Sequence, residues 1–225
     1  MRNAPLVPPR AILFDWDETL VDNWAAIHLA LNAALDAMGR PTWTFRQTKD
    51  RVRESMRDSF PRLFGERWAK AGRVFSEAFR ACHLDQLKPL PGAEPSLTAL
   101  TGAGIYLGVV SNKQGDLLRA EVAHLQWSSY FGGVVGAADA ARDKPAPEPI
   151  AMALRNGGPA PGPEVWFVGD TGLDMACARG SGCLPILIGS ADPRAAEFEH
   201  AQPAITVAGF DDLLALVRTV QSTIS

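Results

Sequence analysis

The chain has 225 residues, 47% of them hydrophobic and 21% charged, with a formal charge of −3. That is ample material for a buried core, and with 20 glycines and 17 prolines it is an ordinary globular composition that excludes collagen-like and disordered classes. The mild acidity gives no bulk attraction for nucleic acid, and the longest apolar runs, 105–110 and 183–188, fall far short of the roughly 20 residues that cross a bilayer. The first nine residues lack an apolar signal core, so a cytoplasmic address is expected, with no membrane partner. Cys82, Cys177 and Cys183 are odd in number and lack Cys-x-x-Cys spacing, and they read as reduced thiols.

Taken in chain order, a first apolar run at 11–14 reads as a buried strand. Between 22 and 87 no strand pattern occurs, and helical patterns cover 24–38, 48–60 and 68–82, separated by Gly39-Arg40-Pro41 and by 61–65. Pro89, Pro91 and Gly92 mark a return to alternation: helix 95–101, strand 105–110, helix 116–125, strand 134–135, helix 147–154, strand 165–168, helix 173–179, strands 184–188 and 204–207, and helix 211–220. The pattern predicts an α/β protein, a Rossmann-like doubly wound parallel sheet made from 1–21 and 88–225, with an α-helical domain inserted at 22–87. The two crossings, 21–23 and 88–92, are expected to form a hinge. From Arg40 to Arg80 nine Arg and two Lys face five acids, so this stretch carries +6 and the rest of the chain −9. Solvated helix faces account for such arginines one by one, and a basic insertion over an acidic core would also suit an anionic substrate bound with a metal.

In an open α/β sheet, ligands bind beyond the carboxyl ends of the strands, and four polar clusters follow apolar runs here. After the first run come Asp15 and Asp17, two carboxylates whose burial would require a cation or a shared proton, and then Thr19. Ser111-Asn112-Lys113 follows the run at 105–110 and offers a hydroxyl, backbone N–H groups and an amine at the start of a helix. Lys144 stands alone before a proline-rich segment, where an ammonium suits phosphate. Gly169-Asp170 ends the run at 165–168, with Asp174 four residues on, a set of hard oxygen donors suited to Mg²⁺. Each cluster also has a purely structural account: helix caps for Asp17, Thr19, Ser111 and Asp170, a surface position for Lys144, and a first-turn acid for Asp174. Their order and shared placement at strand ends set them apart from isolated motifs. Trp16 and Trp166 read as strand packing, and His28, His83, His124 and His200 lack metal-ligand spacing.

Together these residues resemble the haloacid-dehalogenase-like (HAD) hydrolases, and more narrowly the phosphoglycolate-phosphatase-like branch whose helical cap is inserted after the first motif. The Asp-x-Asp-x-Thr motif is met by Asp15, Asp17 and Thr19, the second motif by Ser111, the third by Lys144 and the fourth by Asp170 and Asp174. Glu18 departs from the resemblance, because glycine is common at that position. The resemblance implies a Mg²⁺-dependent phosphatase acting on a small phosphorylated metabolite, with Asp15 as the nucleophile that forms an aspartyl phosphate. It implies that Asp17 protonates the leaving group and then activates water. Mg²⁺ would be held by Asp15, the main-chain carbonyl of Asp17 and Asp170, with Asp174 close by or acting through water. Ser111, the N–H of Asn112 and Lys144 would cradle the phosphoryl oxygens, and Thr19 would steady the first loop.

Asp17 argues against the dehalogenases and phosphonate-cleaving members of the same family, which lack that aspartate. A phosphomutase of the same fold and a non-catalytic phosphate- or metal-binding module are the alternatives, whereas the acidic balance and the lack of a nucleic-acid-binding motif count against a nucleic-acid end phosphatase. By the same resemblance, leaving-group contacts come from the insertion, with Trp24, Arg53, Arg57 and Ser59 as candidates. Arg53 and Arg57 would share a helix face and could pair with a substrate carboxylate, or be neutralised by Glu54 and Asp58.

Overall fold

A computed structural model describes residues 6–52 and 56–222, without the side chains of 56–58. The chain divides into two compact units, one formed by Met1–Val21 with Pro89–Ser225 and the other by Asp22–Lys88. Among the described residues no helix is long and apolar enough to cross a membrane.

The larger unit is built on a six-stranded parallel sheet, and its chain order explains where ligands can gather. The first strand, β1 (Ala11–Phe14), is fully buried, as expected of a strand with helices on both faces. After the short β2 (Val21–Asp22) the chain enters the helical unit, comprising α1 (Trp24–Ala37), α2 (Phe45–Arg51), α3 (Met56–Phe64) and α4 (Trp68–Gln86). It returns through β3 (Lys88–Pro89), which pairs with β2 as a two-stranded sheet. Then follow α5 (Ala93–Gly102), β4 (Tyr106–Gln114), α6 (Gly115–His124), β5 (Gly133–Ala137), α7 (Glu148–Ala153), β6 (Val165–Gly169), α8 (Gly172–Gly180), β7 (Leu184–Ile188), β8 (Ile205–Val207) and α9 (Phe210–Ser222).

The strand order is β5-β4-β1-β6-β7-β8. From β1 the chain builds outward through β4 to β5 and then crosses back to β6 on the other side, so the order reverses at β1 and opens a crevice beyond its carboxyl end. Register sets the end of β1 beside the ends of its neighbours, with Phe14 opposite Val109 of β4 and Val168 of β6; β6 stops one residue later, at Gly169, and β4 runs on to Gln114. Leu13, Val110, Ile150, Phe167 and Cys177 pack together at 0% exposure as part of the core that fixes this platform.

In the helical unit the predicted helix 48–60 is instead the two helices α2 and α3. Thr44 starts α2 early through a capping box: its Oγ1 accepts from the Gln47 N–H at 3.2 Å, and its own N–H donates to Gln47 Oε1 at 2.8 Å. Val52 then leaves helical geometry with ψ 94°. Pro61, expected to open a helix break, lies inside α3. Tertiary packing overrides its cost here, since Phe60 sits edge-on to both Phe64 and Phe75 with ring centroids 5.0 and 5.6 Å away. The connector before α2 has no ladder of its own, and Asn32 of α1 supplies one, its amide donating to the Trp43 carbonyl at 2.9 Å and accepting from the Trp43 N–H at 2.8 Å.

Candidate active site

The polar residues that follow β1 and β6 meet at the crevice. Asp15 continues β1 by one residue, its N–H donating to the Val168 carbonyl at 2.9 Å, so its side chain leaves the sheet beside the end of β6. Asp170 follows β6, and Asp174 lies in the first turn of α8. One carboxylate oxygen from each of Asp15, Asp170 and Asp174 lies within 4.8 Å of the other two.

Lys144 is the counter-charge. Its Nζ is 2.7 Å from Asp15 Oδ1 and 2.7 Å from Asp174 Oδ1, and its side chain is only 4% exposed. Lys144 is thus the shared buried counter-ion of the Asp15 and Asp174 carboxylates. The ammonium also lies 5.7 Å from the centroid of the Phe167 ring. Burial opposes its charge, but the Asp15 and Asp174 carboxylates outweigh that and hold the Lys144 pKa above the ordinary lysine value.

The acids also shift upward, but for them burial wins over the opposite charge. Burial pushes Asp15 up to about 6 against the pull of Lys144, and the charges of Asp174 and Asp17 add to the rise. Asp170 is pushed up to about 8, again mainly by burial, with the Asp15 and Asp174 charges next. Three carboxylates around one ammonium carry more negative charge than the site neutralises by itself.

The support for these groups is partly visible from sequence and partly not. Asp174 Oδ2 accepts from the Thr171 N–H at 3.0 Å and the Thr171 Oγ1 at 2.6 Å, which turns its Oδ1 toward Lys144. The Thr-x-x-Asp spacing of a helix start was the available signal for Thr171, which caps α8, so the purely structural account of Asp170 as the cap does not hold. Gly169 lets Asp174 come this close to the strand, because a Cβ there would lie 2.5 Å from the Asp174 Cβ. Thr19 is 1% exposed, and its hydroxyl donates to Asp170 Oδ1 at 3.1 Å.

Ser111 and Asn112 correct one expectation, since no helix starts there. β4 runs on to Gln114, with its register against β5 shifting between Val110 and Gln114, and α6 begins only at Gly115. The irregular strand end re-aims these side chains as a bulge does. Ser111 Oγ accepts from the Lys113 N–H at 3.2 Å. The Asn112 amide donates to the Lys144 carbonyl and accepts from the Lys144 N–H, both at 3.0 Å, and so ties the lysine loop to β4.

The Asp17 side chain lies outside the acidic cluster and is 2.8 Å from Lys113 Nζ. Glu18 adopts φ 57°, the left-handed region where a side chain costs energy, which gives a physical reason for glycine at that position in the resembling family. Of the insertion residues, Trp24 lies under Lys49 Nζ at 5.4 Å from its ring centroid. Ser59 is half-buried in α3. Arg53 and Glu54, and the side chains of Arg57 and Asp58, lie outside the described residues.

A family model described as haloacid dehalogenase-like hydrolase matches residues 12–188. The chain belongs to this family. Among its relatives, the phosphoglycolate phosphatase of Xylella fastidiosa is 32% identical over 184 residues, 80% of each chain. That of Aquifex aeolicus is 30% identical over 177 residues, covering 77% of this chain and 81% of the relative. Among solved structures, a HAD-superfamily hydrolase from Ehrlichia chaffeensis is 29% identical with a TM-score of 0.66, covering 96% of this chain and 99% of its own. A haloacid dehalogenase-like hydrolase from Streptococcus pneumoniae shares the fold at 22% identity with a TM-score of 0.81, over 93% and 98% of the two chains.

Because Gly169 leaves room for the Asp174 carboxylate, Gly169→Ala is expected to lower stability by roughly 1–3 kcal/mol, read by urea unfolding, and to lower activity with it. Unchanged stability would show that Asp174 has room to move.

Proposed function

We propose that this hydrolase is a Mg²⁺-dependent phosphatase of small phosphomonoesters, phosphoglycolate-phosphatase-like, with Asp15 as its nucleophile. The carrying observation is the buried Lys144 ammonium set between Asp15 and Asp174 beside Asp170, a site that holds one carboxylate in place and concentrates charge suited to a metal and a phosphate.

The residues present fit a divalent cation. Oxygens of Asp15, Asp170 and Asp174 converge within 4.8 Å of one another, and burial together with their mutual charges raises Asp15 and Asp170, a cost that a cation among them would relieve. Asp15 and Asp170, with the main-chain carbonyl of Asp17, would hold Mg²⁺, and Asp174 would act close by or through water. When bound, the ion supplies positive charge to the phosphoryl oxygens and favours the ionised form of Asp15.

The chain's own residues divide the rest of the work. Asp15 attacks phosphorus in line with the leaving oxygen, so hydrolysis proceeds as two displacements through an aspartyl phosphate. Lys144 neutralises negative charge on the transferring group, and the Ser111 hydroxyl and Asn112 N–H donate to its oxygens. Asp17 gives a proton to the departing alkoxide and takes one from the water that attacks the aspartyl phosphate. Thr19 steadies Asp170 through its hydrogen bond. The insertion is the family's cap and selects the leaving group. The names of the Xylella and Aquifex relatives make a small carboxylated phosphate such as phosphoglycolate the first substrate to try.

Phosphate release from a panel of small phosphomonoesters, with and without Mg²⁺, tests this reading. Wild-type protein is expected to release phosphate only with the metal, and Asp15→Asn to lose the activity by roughly 10³-fold or more. Release that survives in Asp15→Asn would remove Asp15 as nucleophile, and no release on any ester would favour the mutase or binding-module alternatives.

Stability gives a separate test of the metal. Asp15 and Asp170 are raised from 3.8 to about 6 and about 8, so their contribution in the metal-free fold is complete at low pH and is lost as pH rises through those values. The metal-free melting temperature is therefore expected to fall from about pH 5 to about pH 8.5, and Mg²⁺ to raise it more at the higher pH. A Mg²⁺ shift that is absent, or equal at both pH values, would contradict the assignment of these ligands.

A further inference from the structure

A second buried ionic centre lies beside the acidic cluster. Lys113 Nζ, on a side chain 7% exposed, is 2.8 Å from Asp17 Oδ1 and 2.6 Å from Glu121 Oε2. Glu121 is fully buried in α6, and the same Oε2 accepts a 2.5 Å hydrogen bond from Trp16 Nε1. Trp16 is itself fully buried and meets Trp127 edge-on, with centroids 5.9 Å apart.

These contacts return to where they start. Starting from Trp16, the contacts run through Glu121 and Lys113 to Asp17, the next residue in the chain. Any shift of the Asp17 carboxylate must stretch its pair with Lys113 or drag a network pinned to its own backbone neighbour. Burying Glu121 and Lys113 costs desolvation that apolar residues of similar volume would avoid, so stability alone is a poor reason for the arrangement. What it does supply is a fixed carboxylate at position 17.

We propose that Lys113 and Glu121 are positioning residues that hold Asp17 where it can hand a proton to the leaving oxygen of the substrate. The proposal rests on the acid–base role given to Asp17 above. In that step the Asp15–phosphorus bond forms, the bond from phosphorus to the ester oxygen breaks, and the Asp17 carboxyl proton goes to that oxygen, releasing an alcohol. The Asp17 carboxylate then takes a proton from the water that displaces Asp15, and the cycle closes without a further acid. Lys113 touches neither substrate nor phosphorus in this scheme and works through Asp17, with Glu121 and Trp16 fixing Lys113 in turn.

Leaving-group dependence separates positioning from general structural damage. An alkyl phosphate needs protonation as its bond breaks, whereas p-nitrophenyl phosphate expels a stable phenolate without it. In Lys113→Met, kcat/KM for an alkyl phosphate is expected to fall roughly 10²-fold, and for p-nitrophenyl phosphate at least tenfold less than that. Lys113→Arg should recover part of the alkyl phosphate rate, and Glu121→Gln and Trp16→Phe should show the same selectivity in weaker form. Equal losses on the two substrates, or no loss on either, would overturn the proposal. Should Lys113→Met fail to fold by circular dichroism, the Arg, Gln and Phe variants carry the same comparison. Asp17→Asn on the same substrate pair tests the underlying reading: no selectivity there removes the acid–base role, while selectivity there with none in the Lys113 variants removes the positioning proposal alone.

Discussion

The Lys144 ammonium, held 2.7 Å from both Asp15 and Asp174, is the interaction around which the site is organised. Without it, three carboxylates whose oxygens lie within 4.8 Å would repel one another in a poorly solvated crevice. With it, Asp15 is fixed at the end of a fully buried strand. Lys144 is held in turn by its loop, whose backbone is bonded on both sides by the Asn112 amide, and by Asp174, which Thr171 orients and the bare Gly169 admits. The site thus lies at the sheet's switch point: Asp15 and Asp170 directly follow β1 and β6, and Asn112 comes from the irregular last stretch of β4.

Two ionic centres share the first loop and have different surroundings. Asp15 faces Lys144 and two other acids, whereas Asp17 faces Lys113, itself tied to the buried Glu121. Residues two apart on one turn are thereby given different counter-ions, the arrangement that the proposed division of work between Asp15 and Asp17 would use. Thr19 completes the loop by bonding Asp170, so the first motif is anchored to both neighbours of β1.

Much of this was legible in the sequence, for a physical reason. A polar residue that closes an apolar run can be placed near a strand end without coordinates, and Asp15 and, one glycine later, Asp170 follow that rule. Lys144 stood out as a lone cation in a proline-rich corner. The supporting residues were harder to see because their signals look like ordinary packing or capping. Glu121 sits among Leu117, Leu118 and Val122 on the buried face of α6, and an acid on an apolar stripe was the only clue to it. Trp16 reads as strand packing, which it is, but its indole N–H also serves Glu121. Ser111 was misplaced at a helix start because apolar periodicity stops where the regular ladder stops, and an irregular strand end has no signature in that pattern. The division of 48–60 into α2 and α3 was hidden for a related reason: a Thr44 cap and aromatic clamps around Phe60 outweigh the local pattern.

With Asp15 as the proposed nucleophile, the carboxylate clamped by Lys144 becomes phosphorylated during turnover. Borohydride reduction of protein quenched in mid-turnover converts an aspartyl phosphate to homoserine, and peptide mass spectrometry then locates it. Homoserine is expected at position 15 alone, and only when Mg²⁺ and substrate are both supplied. Reduction at another aspartate, or none during active turnover, would contradict it.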